Sequence, residues 1–70
     1  MDITKVRIRL IEKELRIKDL ARLTSIDYDR LQKILNDYRQ PRPEEVLAIA
    51  RTLDLIVDEL AGNQGEADVD

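Results

Sequence analysis

Two short helical patterns separated by only three residues constrain the fold of this chain more than any other feature. The stretch Lys18–Asn36 reads KDLARLTSIDYDRLQKILN, with apolar residues at helical spacing on both sides of Thr24-Ser25-Ile26. Two helices connected this tightly must cross at a steep angle, and one of them is held out from the body of the domain. The pattern therefore predicts a helix-turn-helix whose second helix has an outer face free to enter a groove, as in proteins that read DNA.

Composition limits the other possibilities. The chain has 70 residues, enough for one domain with one core. It contains no cysteine and no histidine, which excludes disulfides, thiol nucleophiles, imidazole bases and most transition-metal sites. Carboxylates alone make a poor active site in so small a domain, so we expect no enzyme, no cofactor, no metal and no small-molecule ligand. Without a long apolar run or a signal-peptide core, the protein is expected to be soluble and cytoplasmic.

Every strong periodicity in the sequence is helical, and no segment alternates apolar and polar residues as a half-buried strand does. We therefore predict an all-α, compact five-helix domain over residues 1–61. The predicted helices run from about Ile3 to Glu14, from Ile17 to Leu23, from after Asp27 to Leu35, from Pro43 to Leu53 and from Val57 to Ala61. Their predicted inward residues are Ile3, Val6, Leu10, Leu20, Ala21, Leu23, Leu31, Ile34, Leu35, Val46, Ile49, Ala50, Leu53 and Leu60.

A few residues indicate where these helices begin and end. Asp27 can accept hydrogen bonds from the free N–H groups in the first turn of the third helix, and Pro43 suits the first position of the fourth. We expect Asp54 to occupy the turn after the fourth helix. The residue at the expected break between the first two helices is Glu14 and not a glycine, so residues 3–23 could also be drawn as one long helix.

Charge is divided unevenly along the chain. The net charge is -3, but residues 1–42 carry +4, residues 43–61 carry -4 and residues 62–70 carry -3. This charge distribution would orient the molecule so that its cationic N-terminal half faces the phosphates of a nucleic acid. The last nine residues have no periodicity and little apolar content, so we predict an acidic disordered tail.

The chain resembles the lambda-type repressor and Cro helix-turn-helix proteins, also called the xenobiotic-response-element family. The resemblance covers nearly all of residues 5–61 and is carried by Leu15, Leu20, Ala21, Ile26, Asp27, Leu31, Ile34, Asn36, Pro41, Ile49, Ala50, Leu53, Asp58, Glu59 and Leu60. It implies a five-helix domain with its third helix in the DNA major groove, acting as a dimer that reads two half-sites about one helical turn apart.

The resemblance also implies which residues meet DNA. The base-reading face of the family's recognition helix falls on Tyr28, Asp29, Gln32 and Lys33. Lys33 can donate to guanine, Gln32 can pair with adenine and Asp29 can accept from cytosine, while Tyr28 can pack on a thymine methyl or bond a phosphate. The residues implied to contact the DNA backbone are Lys18, Asn36, Tyr38, Arg39, Gln40 and Arg42.

Each of these assignments has a plainer alternative. Tyr28 and Tyr38 could be surface tyrosines that pack over a loop, and the segment from Arg39 to Arg42 could be a solvated loop. Asp27, Asp29 and Asp37 place carboxylates near the expected DNA face.

The sequence departs from the family pattern at several positions. Ile17 replaces a usual Gln, while Ser25 and Glu14 replace usual glycines. For Ser25, a left-handed conformation costs roughly 1 kcal/mol. The family's ion pair between the first and third helices corresponds to Leu10 and Leu35, an exchange that is often neutral or stabilising.

The segment LDLIVDEL predicts a self-association surface. Leu55, Ile56 and Val57 are consecutive, and one helix face cannot bury three neighbours. We expect Ile56, Val57 and Leu60 to form a homodimer contact, with packing of Ile56 over a loop as the alternative. Two functions follow from the sequence: a sequence-specific DNA-binding transcriptional regulator, or a protein-binding module on the same scaffold that engages another regulator.

Overall fold

The structure is a computed structural model that describes residues 1–58 and residue 60. Within this part, four helices have defined bounds, and no residue forms a strand. They are α1 (Ile3–Glu12), α2 (Ile17–Thr24), α3 (Tyr28–Leu35) and α4 (Pro43–Leu53). None of these helices is long and apolar enough to cross a membrane.

The prediction of an all-α domain is confirmed, but the count of five helices is not. Val57, Asp58 and Leu60 have helical backbone, whereas the rest of the fifth helix expected to end at Ala61 lies outside the described residues. The predicted tail, residues 62–70, lies outside them as well. The fold of the site therefore rests on α1 to α4 and the turns between them.

The predicted helix starts are confirmed by their hydrogen bonds. The Asp27 carboxylate accepts from the backbone N–H of Arg30 at 3.3 Å, which satisfies a donor in the first turn of α3. Asp2 caps α1 in the same way by accepting from Lys5 N–H at 3.2 Å. Pro43 occupies the first turn of α4, where its missing N–H costs nothing.

The helices end at residues with left-handed backbone. Glu14, Ser25 and Asp54 have φ angles of 57°, 63° and 59°, although none of them is glycine. The residue after each one donates its N–H back into the preceding helix, as in the Schellman motif: Leu15 to Leu10 O at 2.9 Å, Ile26 to Ala21 O at 3.1 Å and Leu55 to Ala50 O at 2.8 Å.

These three apolar residues also pack on or within the core, which stabilises the turns against the cost of the left-handed conformation. The turn at Glu14 separates α1 from α2, so the drawing of residues 3–23 as one long helix is wrong. The turn at Asp54 ends α4 as predicted.

The core is formed where α2 and α4 pack together with α1 and α3. The buried apolar residues are Val6, Leu10, Leu20, Ala21, Ile26, Leu31, Ile34, Leu35, Val46, Ile49, Ala50, Leu53 and Leu60. Leu10 and Leu35 are among them, so apolar packing stands where the family pattern has an ion pair.

One predicted core residue is wrong. Leu23 is 53% exposed, because it lies about 200° around the helix axis from the buried Ala21. Ile3 is only half-buried, packed against the edge of the core.

Basic side chains of α1 bind the C-terminal ends of two other helices. Arg7 donates to Leu35 O at 2.9 Å and to Asn36 Oδ1 at 3.0 Å, at the end of α3. Arg9 donates to Leu53 O at 3.2 Å at the end of α4. Helix ends leave carbonyl groups without partners and carry partial negative charge, so these cations stabilise the packing that orients α3.

Candidate nucleic-acid interface

Helix α3 has one buried face and one polar face turned outward. Leu31, Ile34 and Leu35 are buried. Tyr28, Asp29 and Lys33 are exposed, and Gln32 is half-buried, so all four predicted base-contacting residues lie on the outer side of the helix. The structure thus brings the four side chains together on one surface.

Two of these side chains form a pair. Gln32 Nε2 donates to Tyr28 Oη at 2.9 Å, across one turn of α3. Because the tyrosine oxygen accepts this bond, its own O–H proton remains available for an outward acceptor. The bond also directs the Gln32 amide, which leaves its Oε1 and its second N–H for a partner such as the edge of adenine.

Helix α2 supports α3 and presents Lys18. The two helices are joined by the left-handed turn at Ser25, and Ile26 after this turn is 8% exposed. Lys18 is exposed in the first turn of α2, where backbone N–H groups favour an anion. Asp19 in the same turn accepts from the N–H of Arg16 at 3.0 Å, so one of these donors is already bound within the protein.

The loop between α3 and α4, residues 36–42, begins like the other turns but differs in one side chain. Asp37 is left-handed with φ 66°, and the N–H of Tyr38 donates to Lys33 O at 2.7 Å. At the other three helix ends the equivalent residue packs on or within the core, whereas Tyr38 is 79% exposed. The turn thus holds an aromatic side chain out in solvent, beside the exposed Arg39 and Gln40.

An ion pair that the sequence did not reveal links α3 to α4 across this loop. Arg30 Nε donates to Glu45 Oε2 at 2.7 Å, and Arg30 Nη2 donates to Glu45 Oε1 at 2.8 Å. The side chains are 25% and 12% exposed, which is low for charged groups. The hydrogen bond from Arg30 lowers the pKa of Glu45, and the same bond raises the pKa of Arg30.

The only sequence signal for this pair is the position of Glu45, three residues after the N-cap of α4. There it accepts from the N–H of Arg42 at 2.8 Å. Nothing local indicates that Arg30, fifteen residues earlier, is its partner.

The structure separates structural cations from available ones. Arg7, Arg9, Lys13, Arg22 and Arg30 all have partners within the protein. The four cations predicted to contact DNA are all exposed and form no side-chain hydrogen bond or ion pair among residues 1–58 and 60: Lys18, Lys33, Arg39 and Arg42. The pKa of Glu45 is lowered mainly by its bond from Arg30, and the charge of Arg42 adds to this through space.

The carboxylates near this surface are used in different ways. Asp27 is bound as the cap of α3, whereas Asp29 and Asp37 are exposed. Asn36 accepts the bond from Arg7, so its carbonyl oxygen has a structural use as well as the predicted DNA contact.

The predicted dimer contact requires a correction. Leu60 is 0% exposed and belongs to the core, so its side chain cannot form part of an outer surface in this fold. Its carbonyl accepts from Asp2 N–H, at the start of α1, at 3.0 Å. Val57 is half-buried against the core, while Ile56 is 65% exposed.

A family model described as Cro/C1-type HTH DNA-binding domain matches residues 5–64. The match includes all of α1 except its first two residues, and the whole of α2, α3, the loop and α4. Comparison with curated proteins and with solved structures finds no match.

Proposed function

Because the chain belongs to the family of Cro/C1-type helix-turn-helix DNA-binding domains, we propose that it is a sequence-specific transcriptional regulator, with α3 in the major groove. The observation that carries the proposal is the outer side of α3, where four polar residues lie together next to a loop in which Arg39 and Arg42 are exposed. Membership of this family supports double-stranded DNA as the partner. Base edges are read by polar side chains such as those on α3, and phosphates are bound by cations such as the loop arginines.

The base-reading roles are assigned by side-chain chemistry. Lys33 would donate to guanine O6 and N7, and Asp29 would accept from cytosine N4. Gln32 would pair with adenine, in an orientation supported by its bond to Tyr28. Tyr28 would then contact a thymine methyl with its ring or a phosphate with its O–H.

The backbone-contacting roles belong to the exposed groups around α3. Arg39 and Arg42 would bind phosphates from the loop, and Lys18 would do so from the first turn of α2. Tyr38 and Gln40, exposed in the same loop, and Asn36 at the end of α3 would add neutral hydrogen bonds. These contacts supply affinity and register without reading the sequence.

We propose that a homodimer reads two half-sites about one helical turn apart, with Ile56 at the centre of the contact. The exposed Ile56 and the half-buried Val57 support this assignment, whereas Leu60 is buried in the core and is not part of the proposed contact. Sedimentation over a dilution series tests it: a domain that stays monomeric at high concentration does not use this contact.

DNA binding is tested by its salt dependence. For duplex DNA, the logarithm of the binding constant should fall linearly with the logarithm of salt, by about 0.9 per phosphate contacted. Arg39→Ala should weaken binding to all sequences alike, whereas Lys33→Ala should change the preferred sequence. If neither random duplexes nor fragments of the source genome bind at low salt, the protein-binding module becomes the better interpretation.

A further inference from the structure

The far end of the loop is attached to α3 through one pair of side chains. The loop's first residues bond to α3 through their own backbone, as Tyr38 and Arg39 both donate to Lys33 O. Further along the loop, the link to α3 is made by a side chain of that helix: Arg30 Nη2 donates to the backbone carbonyl of Gln40 at 3.5 Å. The N–H of Arg42 is held by Glu45, at the oxygen that also accepts from Arg30.

The pair therefore holds the far end of the loop, at Gln40 and Arg42, in a fixed position relative to α3. Two parallel N–H···O bonds between a guanidinium and a carboxylate fix an angle as well as a distance. Glu45 lies in the first turn of α4, so its bond to Arg30 also sets where that helix begins relative to α3. Residues 40–42 are thereby bound between two helices.

From this geometry we propose that Arg30 and Glu45 are positioning residues for DNA binding. They hold the loop so that Arg39 and Arg42 meet phosphates while α3 lies in the groove. The inference rests on the proposed function, and it goes beyond it because neither residue need touch DNA.

The proposal reverses the expected sign of a charge change. Glu45 is an acid next to a surface that binds a polyanion, so electrostatics alone predict that removing its charge strengthens binding. A positioning role predicts the opposite, because the loop arginines would lose their fixed relation to α3. The sign of the effect thus separates the two explanations.

The chain provides a matched control in the adjacent residue. Glu44 lies in the same helical turn, is exposed, and forms no side-chain hydrogen bond or ion pair among the described residues. The pKa of Arg30 is raised mainly by its bond to Glu45, and the charge of Glu44 adds to this only through space. Glu44→Gln and Glu45→Gln make the same chemical change one residue apart, so a difference between them reports the bonds that Glu45 makes to Arg30 and to the N–H of Arg42.

The experiment measures binding of each protein to a pool of random-sequence duplexes over a range of salt. Glu44→Gln should bind as tightly as the unaltered chain or more tightly. Glu45→Gln should bind roughly tenfold more weakly, with a salt slope smaller by about 0.9 for each phosphate lost. Equal binding by the two variants, or tighter binding by Glu45→Gln, would overturn the proposal.

A second variant covers the case in which Glu45→Gln is unfolded by circular dichroism. Arg30→Lys keeps the net charge but cannot form two parallel bonds to the carboxylate. It should show the same weaker binding and smaller salt slope, whereas a slope like that of the unaltered chain would contradict the positioning role.

A readout without DNA separates this inference from the proposed function. The backbone amide signal of Gln40, whose carbonyl accepts from Arg30, should move in Glu45→Gln relative to Glu44→Gln in the free protein. If the unaltered chain fails to bind duplexes, the proposed function is wrong. If it binds but the amide signals and the affinities of the two variants agree, only the positioning role is wrong.

Discussion

Replacing Glu14 and Ser25 by glycine should stabilise the domain. Both residues have left-handed backbone, with φ angles of 57° and 63°, at the ends of α1 and α2. A side chain with a Cβ atom costs about 1 kcal/mol in this conformation, and glycine removes that cost. Both positions are exposed and neither side chain has a partner among the described residues, so the substitutions sacrifice no contact.

The net gain is smaller than the conformational cost alone. Glycine also increases the entropy of the unfolded chain, which offsets about 0.4–1 kcal/mol at each site. The remaining gain is about 0.3 kcal/mol per site, or about 0.6 kcal/mol for both. In a domain of this size that corresponds to a rise of roughly 2–5 °C in Tm.

Thermal and urea unfolding, followed by circular dichroism, would measure the effect. The control is the double alanine variant, which removes the same side chains but keeps the Cβ atoms, and should gain nothing. Asp54 provides a second comparison, because Asp54→Gly would also lose the 2.8 Å ion pair with Lys13. If the double glycine variant is no more stable than the double alanine variant, the left-handed turns do not carry the expected cost.

Three further predictions concern the ion pair and the two surfaces. Because the pKa of Glu45 is lowered in the fold, its bond to Arg30 stabilises the fold above the unfolded pKa of about 4.3, and this stabilisation is lost as the pH falls through the folded pKa. The difference in unfolding free energy between the unaltered chain and Glu45→Gln should therefore shrink in acid. A difference that does not change with pH would refute this. Tyr28→Phe removes the acceptor of the Gln32 bond and should weaken discrimination for adenine at one position while leaving the salt slope unchanged, as measured by selection from random duplexes. Ile56→Ser should shift any self-association to higher concentration in sedimentation without lowering Tm, since the side chain is 65% exposed.

Much of the candidate site could be inferred before the structure because it depends on helical periodicity. Leu31, Ile34 and Leu35 recur at the spacing of one buried face, so the opposite face of α3 had to carry Asp29 and Lys33. The chemistry of those outer residues is local as well, and it needs no knowledge of the neighbours. Whether they bind particular bases remains a prediction.

Assignments that depend on exposure of single residues were less secure. Leu60 was predicted both as an inward residue and as part of the dimer contact, and only the inward position is confirmed, while Leu23 was assigned to the core and lies outside. Leu23 lies in the last turn of α2. There the side chain's environment depends on how the next segment turns, which periodicity does not describe.

The amino-acid sequence alone determined the all-α class, the starts of α3 and α4 at Asp27 and Pro43, and the polar outer face of α3. These features arise from residues within a few positions of one another, where caps and helical repeats act. Only the tertiary structure decided which cations have partners within the protein and that Arg30 joins Glu45 across the loop. Such pairings join residues far apart in the chain, so they depend on how the helices cross and where each turn directs the next one.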